Sequence, residues 1–150
     1  MELKNEFSWS KTRDELFKEC KRRYYFDRYG SWGGWEANAG NARRLYLLKK
    51  LSSKQVWVGQ IVHEAIKHLL TEIKQGKQVA LSNILLRLDN ELRDRYKFSE
   101  TKMYRKFPKQ GGLIEHENNM AISTEEKEEL FNLAEKCVEN FYNSNILKEM

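Results

Sequence analysis

Val58-Gly59-Gln60-Ile61-Val62-His63-Glu64-Ala65-Ile66 decides the fold class. Its small and apolar positions do not alternate, as a half-buried strand requires. They recur three and four apart and continue past the stretch, so that Gly59, Val62, Ile66, Leu69 and Ile73 form one stripe on a helix. Ser53 stands before this stripe as a cap, and Gly76 after it as a stop. The same grammar repeats outward in both directions. Ser10 opens a helix carrying Leu16, Phe17, Cys20 and Tyr24, which Gly30 ends before the loop Ser31-Trp32-Gly33-Gly34-Trp35. A short helix is expected over residues 41–51, with Leu45, Leu48 and Leu51 inward. Ser82 caps a helix bearing Leu85, Leu88, Leu92 and Tyr96. Ser123-Thr124-Glu125-Glu126 reads as a capping box, opening a helix that buries Leu130, Ala134, Cys137 and Phe141. A last helical piece is expected after Ser144. Between residues 99 and 121 the pattern is irregular, with a short strand expected at Leu113-Ile114. The fold class is therefore mainly α, and the 150 residues suit a single helical domain or lobe.

Composition narrows the function classes. A hydrophobic content of 40% supports a packed core, yet no run of about 18 apolar residues exists, so no membrane span is expected. The N-terminal residues are polar and form no signal core, which gives a cytoplasmic expectation. Cys20 and Cys137 belong to no C-x-x-C pair, so both are expected as small buried apolar residues. The net charge of +5 suits a phosphate-rich partner only modestly, but it is unevenly spread. Lys18, Lys21, Arg22, Arg23 and Arg28 crowd one early segment, whereas Glu125-Glu126-Lys127-Glu128-Glu129 concentrates acid late.

The candidate nucleic-acid contacts are Lys21, Arg22, Arg23, Tyr25 and Arg28: cations for phosphates, aromatic faces for bases. Against this stands a simpler reading, in which the charges are a solvated face and Tyr24 packs inward. His63 lies one helical turn after Gly59, where a missing side chain would let another backbone approach and confine the imidazole. A neutral imidazole can ligate a divalent ion, manganese more readily than magnesium, but a histidine on an apolar stripe can equally be packed core. Glu115-His116-Glu117 is expected as a loop or edge strand. In an extended segment its carboxylates and imidazole would face opposite ways and could not converge on one ion.

Phe7-Ser8-Trp9-Ser10, then Leu16-Phe17-Lys18-Glu19-Cys20-Lys21-Arg22-Arg23-Tyr24-Tyr25-Phe26, then the Gly59-to-His63 helix, resemble in this order the opening of RecB-like nucleases of the PD-(D/E)XK superfamily. Lys21 stands where that family usually has proline. Weaker likenesses follow at residues 109–116 and 140–144. The resemblance implies that the chain is the helical N-terminal lobe of an α/β nuclease that hydrolyses DNA with Mg²⁺ or Mn²⁺. It makes His63 a metal ligand beside an aspartate and the glutamate of an E-x-K element. Those acidic residues have no convincing counterpart here. Glu100-Thr101-Lys102 spells E-x-K but follows a helix, with no strand ending in aspartate before it. Catalytic residues within this chain are therefore expected to be none, and so are cofactors in the chain alone. The missing carboxylates are expected after Met150, in the remainder of the nuclease domain. Some relatives hold an iron-sulfur cluster with four cysteines, which Cys20 and Cys137 cannot do by themselves. The alternatives are a non-enzymatic helical module that binds nucleic acid or protein, and a degenerate nuclease homologue.

Overall fold

The computed structural model describes residues 5–144, which are predominantly helical. The helices are α1 (Lys11–Glu19), α2 (Lys21–Tyr25), α3 (Asn41–Lys50), α4 (Lys54–Lys74), α5 (Leu81–Glu100), α6 (Ile114–Glu117) and α7 (Thr124–Tyr142). Sheet is confined, among the described residues, to two strands of two residues each, β1 (Leu51–Ser52) and β2 (Gly112–Leu113), paired with each other. The chain divides into two compact units: residues up to Leu51 with Tyr104–Gly111, and Ser52–Met103 with the residues from Gly112 onward.

The first unit has the less regular backbone. Ser10 caps α1 as expected, its Oγ accepting from the Arg13 N–H at 3.3 Å. The single helix expected up to Gly30 is instead interrupted at Cys20. This residue adopts an extended backbone (φ −159°, ψ 106°), and its Sγ accepts from the Arg23 N–H at 3.4 Å to start α2. Cys20 is consequently exposed, a correction to the core role expected for it. Beyond Tyr25 the chain widens into a π-helical turn, Phe26–Gly30, closed by Ser31, whose N–H reaches the Phe26 carbonyl at 3.1 Å. The loop that follows lies directly on α3. A Cβ added to Gly34 would sit 2.2 Å from the Ala42 carbonyl oxygen, so only glycine fits there. Arg43 fastens the loop by donating to the Gly34 and Trp35 carbonyls at 3.3 and 3.1 Å, and its other nitrogen reaches the Arg105 carbonyl at 3.1 Å. The inward set expected for α3 is corrected at Leu48, which is 41% exposed.

The second unit holds the apolar core. Trp57, Ile61 and Leu69 of α4, Leu88 and Leu92 of α5, and Ala134 and Val138 of α7 are buried together. Each fully buried leucine or isoleucine contributes on the order of 1.5–3 kcal/mol. Gly76 (φ 75°) lies just past the end of α4. Of the expected stripe, Val62 and Leu69 are buried and Ile66 and Ile73 partly buried, whereas Gly59 packs against nothing among the described residues and Trp57, Val58 and Ile61 complete the inward face. Its cap differs, since the Ser53 side chain makes no capping bond and Glu115 supplies one through Oε1, 3.1 Å from the Lys54 N–H. Helix α5 begins at Leu81, with Ala80 rather than Ser82 at the cap. In α7 Ala134 is buried as expected, and Leu130 and Phe141 are partly buried against the core. The deepest positions beside Ala134 are Phe131 and Val138, however, and Cys137, expected inward, is exposed. Half of the capping box forms. Ser123 Oγ accepts from the Glu126 N–H at 3.1 Å, while the Glu126 carboxylate pairs with Lys54. The helical piece expected after Ser144 lies outside the described residues. No described helix is long and apolar enough to cross a membrane.

Candidate nucleic-acid interface and the His63 position

Charge and aromatic surface fall together in the first unit. It carries 15 of the 27 lysines and arginines but only seven of the 22 acidic residues, a balance of +8 against −3 for the second unit. It also presents every aromatic side chain recorded as exposed, among them Phe7, Trp9, Tyr25 and Trp32. A basic surface that leaves ring faces open to water has the chemistry to hold phosphates and stack bases.

Within this unit the five sequence candidates differ in availability. Lys21 and Arg22 are exposed and have no carboxylate partner among the described residues. Each instead lies over a ring: Lys21 Nζ 5.5 Å from the Phe17 centroid, Arg22 5.6 Å from that of Phe26. Arg23 is exposed but donates to Glu19 Oε1 at 2.7 Å. Arg28 is half-buried, with Nε 2.8 Å from Asp27 Oδ2, and Asp27 also takes Lys49 at 3.3 Å. Asp27 thus neutralises part of the positive field on that side. Tyr25 is 56% exposed and stacks on Tyr29 at 6.3 Å, leaving a ring face to solvent. Lys21, Arg22 and Tyr25 are therefore more open to a ligand than Arg23 and Arg28, which are engaged by Glu19 and Asp27. Tyr24 packs edge-on against Phe17 at 5.3 Å and is half-buried. A hydrogen bond between Tyr24 and Tyr29 raises the Tyr29 phenol above its ordinary value.

His63 belongs to the second unit and lies on the solvent side of α4. It is exposed, and no hydrogen bond or ion pair engages it among the described residues. The confined pocket expected from Gly59 is absent, because a Cβ there would meet nothing within 4 Å. Beside it, Glu64 pairs with Arg95, which also takes Glu91 at 2.5 Å. His68, also exposed, lies against Arg87, which donates to Glu72 at 3.0 Å and lowers that carboxyl below its ordinary value. Among the described residues no three histidine, cysteine or acidic side chains are placed to hold a metal ion. A lone exposed imidazole does not hold a hard divalent cation, so the residues present do not by themselves fit Mg²⁺ or Mn²⁺. Glu100-Thr101-Lys102 lies at the end of α5, with Lys102 at φ 54° donating to Asn119 Oδ1 at 2.6 Å.

Glu115-His116-Glu117 corrects the loop or edge-strand expectation, because it is the helical turn α6, with Glu115 and His116 buried. Ser99, fully buried at the end of α5, has its Oγ 2.9 Å from His116 Nδ1 and 2.7 Å from the Leu113 N–H that donates to it. The serine–imidazole contact is closed to solvent and ties α6 to α5, and burial pushes the His116 imidazole below its ordinary pKa. Neither this contact nor the Glu115 cap has a local sequence signal, since each joins residues remote in the chain.

No family model, curated protein or solved structure matches the chain.

Proposed function

We propose that this chain is the helical N-terminal part of a RecB-like, metal-dependent DNA nuclease. It contributes a basic, aromatic surface for the nucleic acid and the His63 imidazole. The position of His63 carries this reading. A histidine packed into the apolar stripe would be buried with its nitrogens satisfied. His63 instead stands in solvent, one turn after Gly59, with no partner among the described residues. The order of the motifs around it supplies the rest of the support. Mg²⁺ or Mn²⁺ in the parent protein would lower the pKa of the attacking water. Its acidic ligands are assigned to sequence beyond these residues, and no hydrolytic step is assigned to the chain itself.

Reading the gene past Met150 and assaying its product tests the proposal. A strand ending in aspartate, then one with E-x-K or D-x-K, and metal-dependent cleavage lost in His63→Ala are expected. A stop codon directly after Met150 would leave a helical nucleic-acid-binding module instead. The charge and aromatic surface of the first unit favours that second reading equally, because it needs no metal.

A further inference from the structure

The first unit contains a cleft of about 380 Å³ whose walls include Phe7, Trp9, Phe17, Tyr24, Tyr29 and Arg13. This volume falls in the range of small-molecule sites, and the walls are mostly apolar. Phe7 and Trp9 are 73% and 72% exposed, yet the segment that carries them is tied down at both ends. Asn5 donates to the Arg28 carbonyl at 3.0 Å, and Arg13 donates to the Ser8 carbonyl at 2.5 Å. These rings are therefore held out by the fold, a preorganised arrangement that reduces the ordering needed on binding. The opposite wall is rigid as well, with Phe17, Tyr24 and Tyr29 in consecutive edge-to-face contacts of 5.3 and 5.9 Å. The charge around the cleft is mainly positive. Lys21 lies over Phe17, and the only acid in the lining, Asp14, is taken by Lys18 at 2.7 Å.

We propose that this cleft receives an unpaired nucleobase of a single-stranded nucleic acid, stacked between the Phe7–Trp9 segment and the Phe17–Tyr24–Tyr29 wall. Lys21 and Arg22 hold the adjoining phosphates. Charge complementarity selects this occupant. An apolar peptide would fit the rings but would gain nothing from a unit with a balance of +8, whereas a single strand uses both features. Duplex DNA does not fit, because its bases are stacked on one another and cannot enter a cleft. The site requires neither His63 nor a metal ion, so it stands or falls separately from the nuclease reading.

Fluorescence anisotropy in chelator tests it, using labelled thymidine and uridine oligonucleotides of about twelve residues, a size within the usual range for single-strand sites. An abasic oligomer of equal length and a blunt duplex serve as comparison ligands. Tighter binding of either base-bearing strand than of the abasic oligomer or the duplex is expected. Trp9→Ala and Phe7→Ala should each weaken that binding at least about fivefold, the lower end of what one base–aromatic stack contributes, and leave abasic binding unchanged. Trp9→Phe should retain most of the affinity, which keeps the test decisive if the alanine variant folds poorly. His63→Ala should bind like the unsubstituted chain. Equal affinity for the abasic and base-bearing strands, or unchanged affinity in both alanine variants, would overturn the proposal. So would a change in sedimentation of the variants without a change in nucleic-acid binding, which would make the cleft a protein interface. Cleavage by a longer gene product without base-dependent binding would sink this inference alone.

Discussion

At the scale of single residues, burial separates the two histidines that the sequence singled out. His63 is exposed and has no partner among the described residues, so His63→Ala should change stability by no more than about 0.5 kcal/mol in chelator, as surface substitutions usually do. Thermal unfolding measures this, and a loss above about 2 kcal/mol would mean the side chain is structural after all. His116 is the reverse case, a buried imidazole against Ser99 and edge-on to Tyr96 at 5.0 Å. Burial lowers its folded pKa below the ordinary 6.5, against the weaker opposing pull of Glu100 and Glu115. The unfolded chain therefore binds the extra proton more readily. The stability His116 contributes is full above about pH 6.5 and is lost as the pH falls towards the lower folded value. Urea unfolding at several pH values between about 7.5 and 5 should show this decline. His116→Asn, which keeps a hydrogen-bonding group but does not titrate in this window, should remove most of the slope. An unchanged slope in the variant would assign the decline to other groups.

At the scale of the elements, what the sequence shows depends on how local the deciding interaction is. Helices α1, α4, α5 and α7 begin within two residues of Ser10, Ser53, Ser82 and Ser123, because each apolar stripe is written in neighbouring residues, although only Ser10 and Ser123 make the capping bond. The break at Cys20 was not legible, since it depends on one residue taking an extended conformation inside a helical pattern. The deeper burial of Phe131 in α7 was not legible either, because Leu130 and Phe131 are both apolar and the partner helices decide which is buried more deeply. Of the candidate site, the basic and aromatic residue types could be read. Which cations were already engaged by Glu19 or Asp27 could not. Neither could the remote cap of α4, where the local cap Ser53 makes no bond and Glu115 takes its place. Glu115→Ala should therefore destabilise the protein by about 1 kcal/mol or more, combining a lost cap with a lost charge at the helix N-terminus. Ser53→Ala should have little effect, and Ser123→Ala should lose about 1 kcal/mol because its capping bond is formed. Denaturant titration of the three variants ranks them, and a larger loss from Ser53→Ala than from Glu115→Ala would contradict the capping assignment.

At the scale of the whole molecule, charge segregation between the units and the lack of a metal-holding group among the described residues lead to two expectations. The first is that the purified chain leaves DNA intact with either Mg²⁺ or Mn²⁺. Cleavage that disappears in His63→Ala would show that acidic ligands had been overlooked. The second is that the chain binds nucleic acid with an affinity that falls steeply as salt rises. Every phosphate neutralised by a cation releases counterions, giving a slope of roughly 0.7 per contact on a single strand. The cations should not contribute equally. Arg23 already donates to Glu19 at 2.7 Å and Arg28 lies 2.8 Å from Asp27, so part of their charge is compensated before any ligand arrives. Among the described residues Lys21 and Arg22 have only ring faces beneath them and remain available. Replacing Lys21 and Arg22 together with alanine should therefore reduce the slope of log affinity against log salt by about 1.4, two contacts' worth. Replacing Arg28 should alter it far less. Anisotropy titrations between about 50 and 200 mM salt give both slopes. If the Arg28 variant loses as much slope as the Lys21–Arg22 variant, the ion pair with Asp27 opens on binding and the contact surface extends onto the π-helical turn. If neither variant changes the slope, the basic run on α2 is only a solvated face and the positive charge that binds lies elsewhere in the first unit.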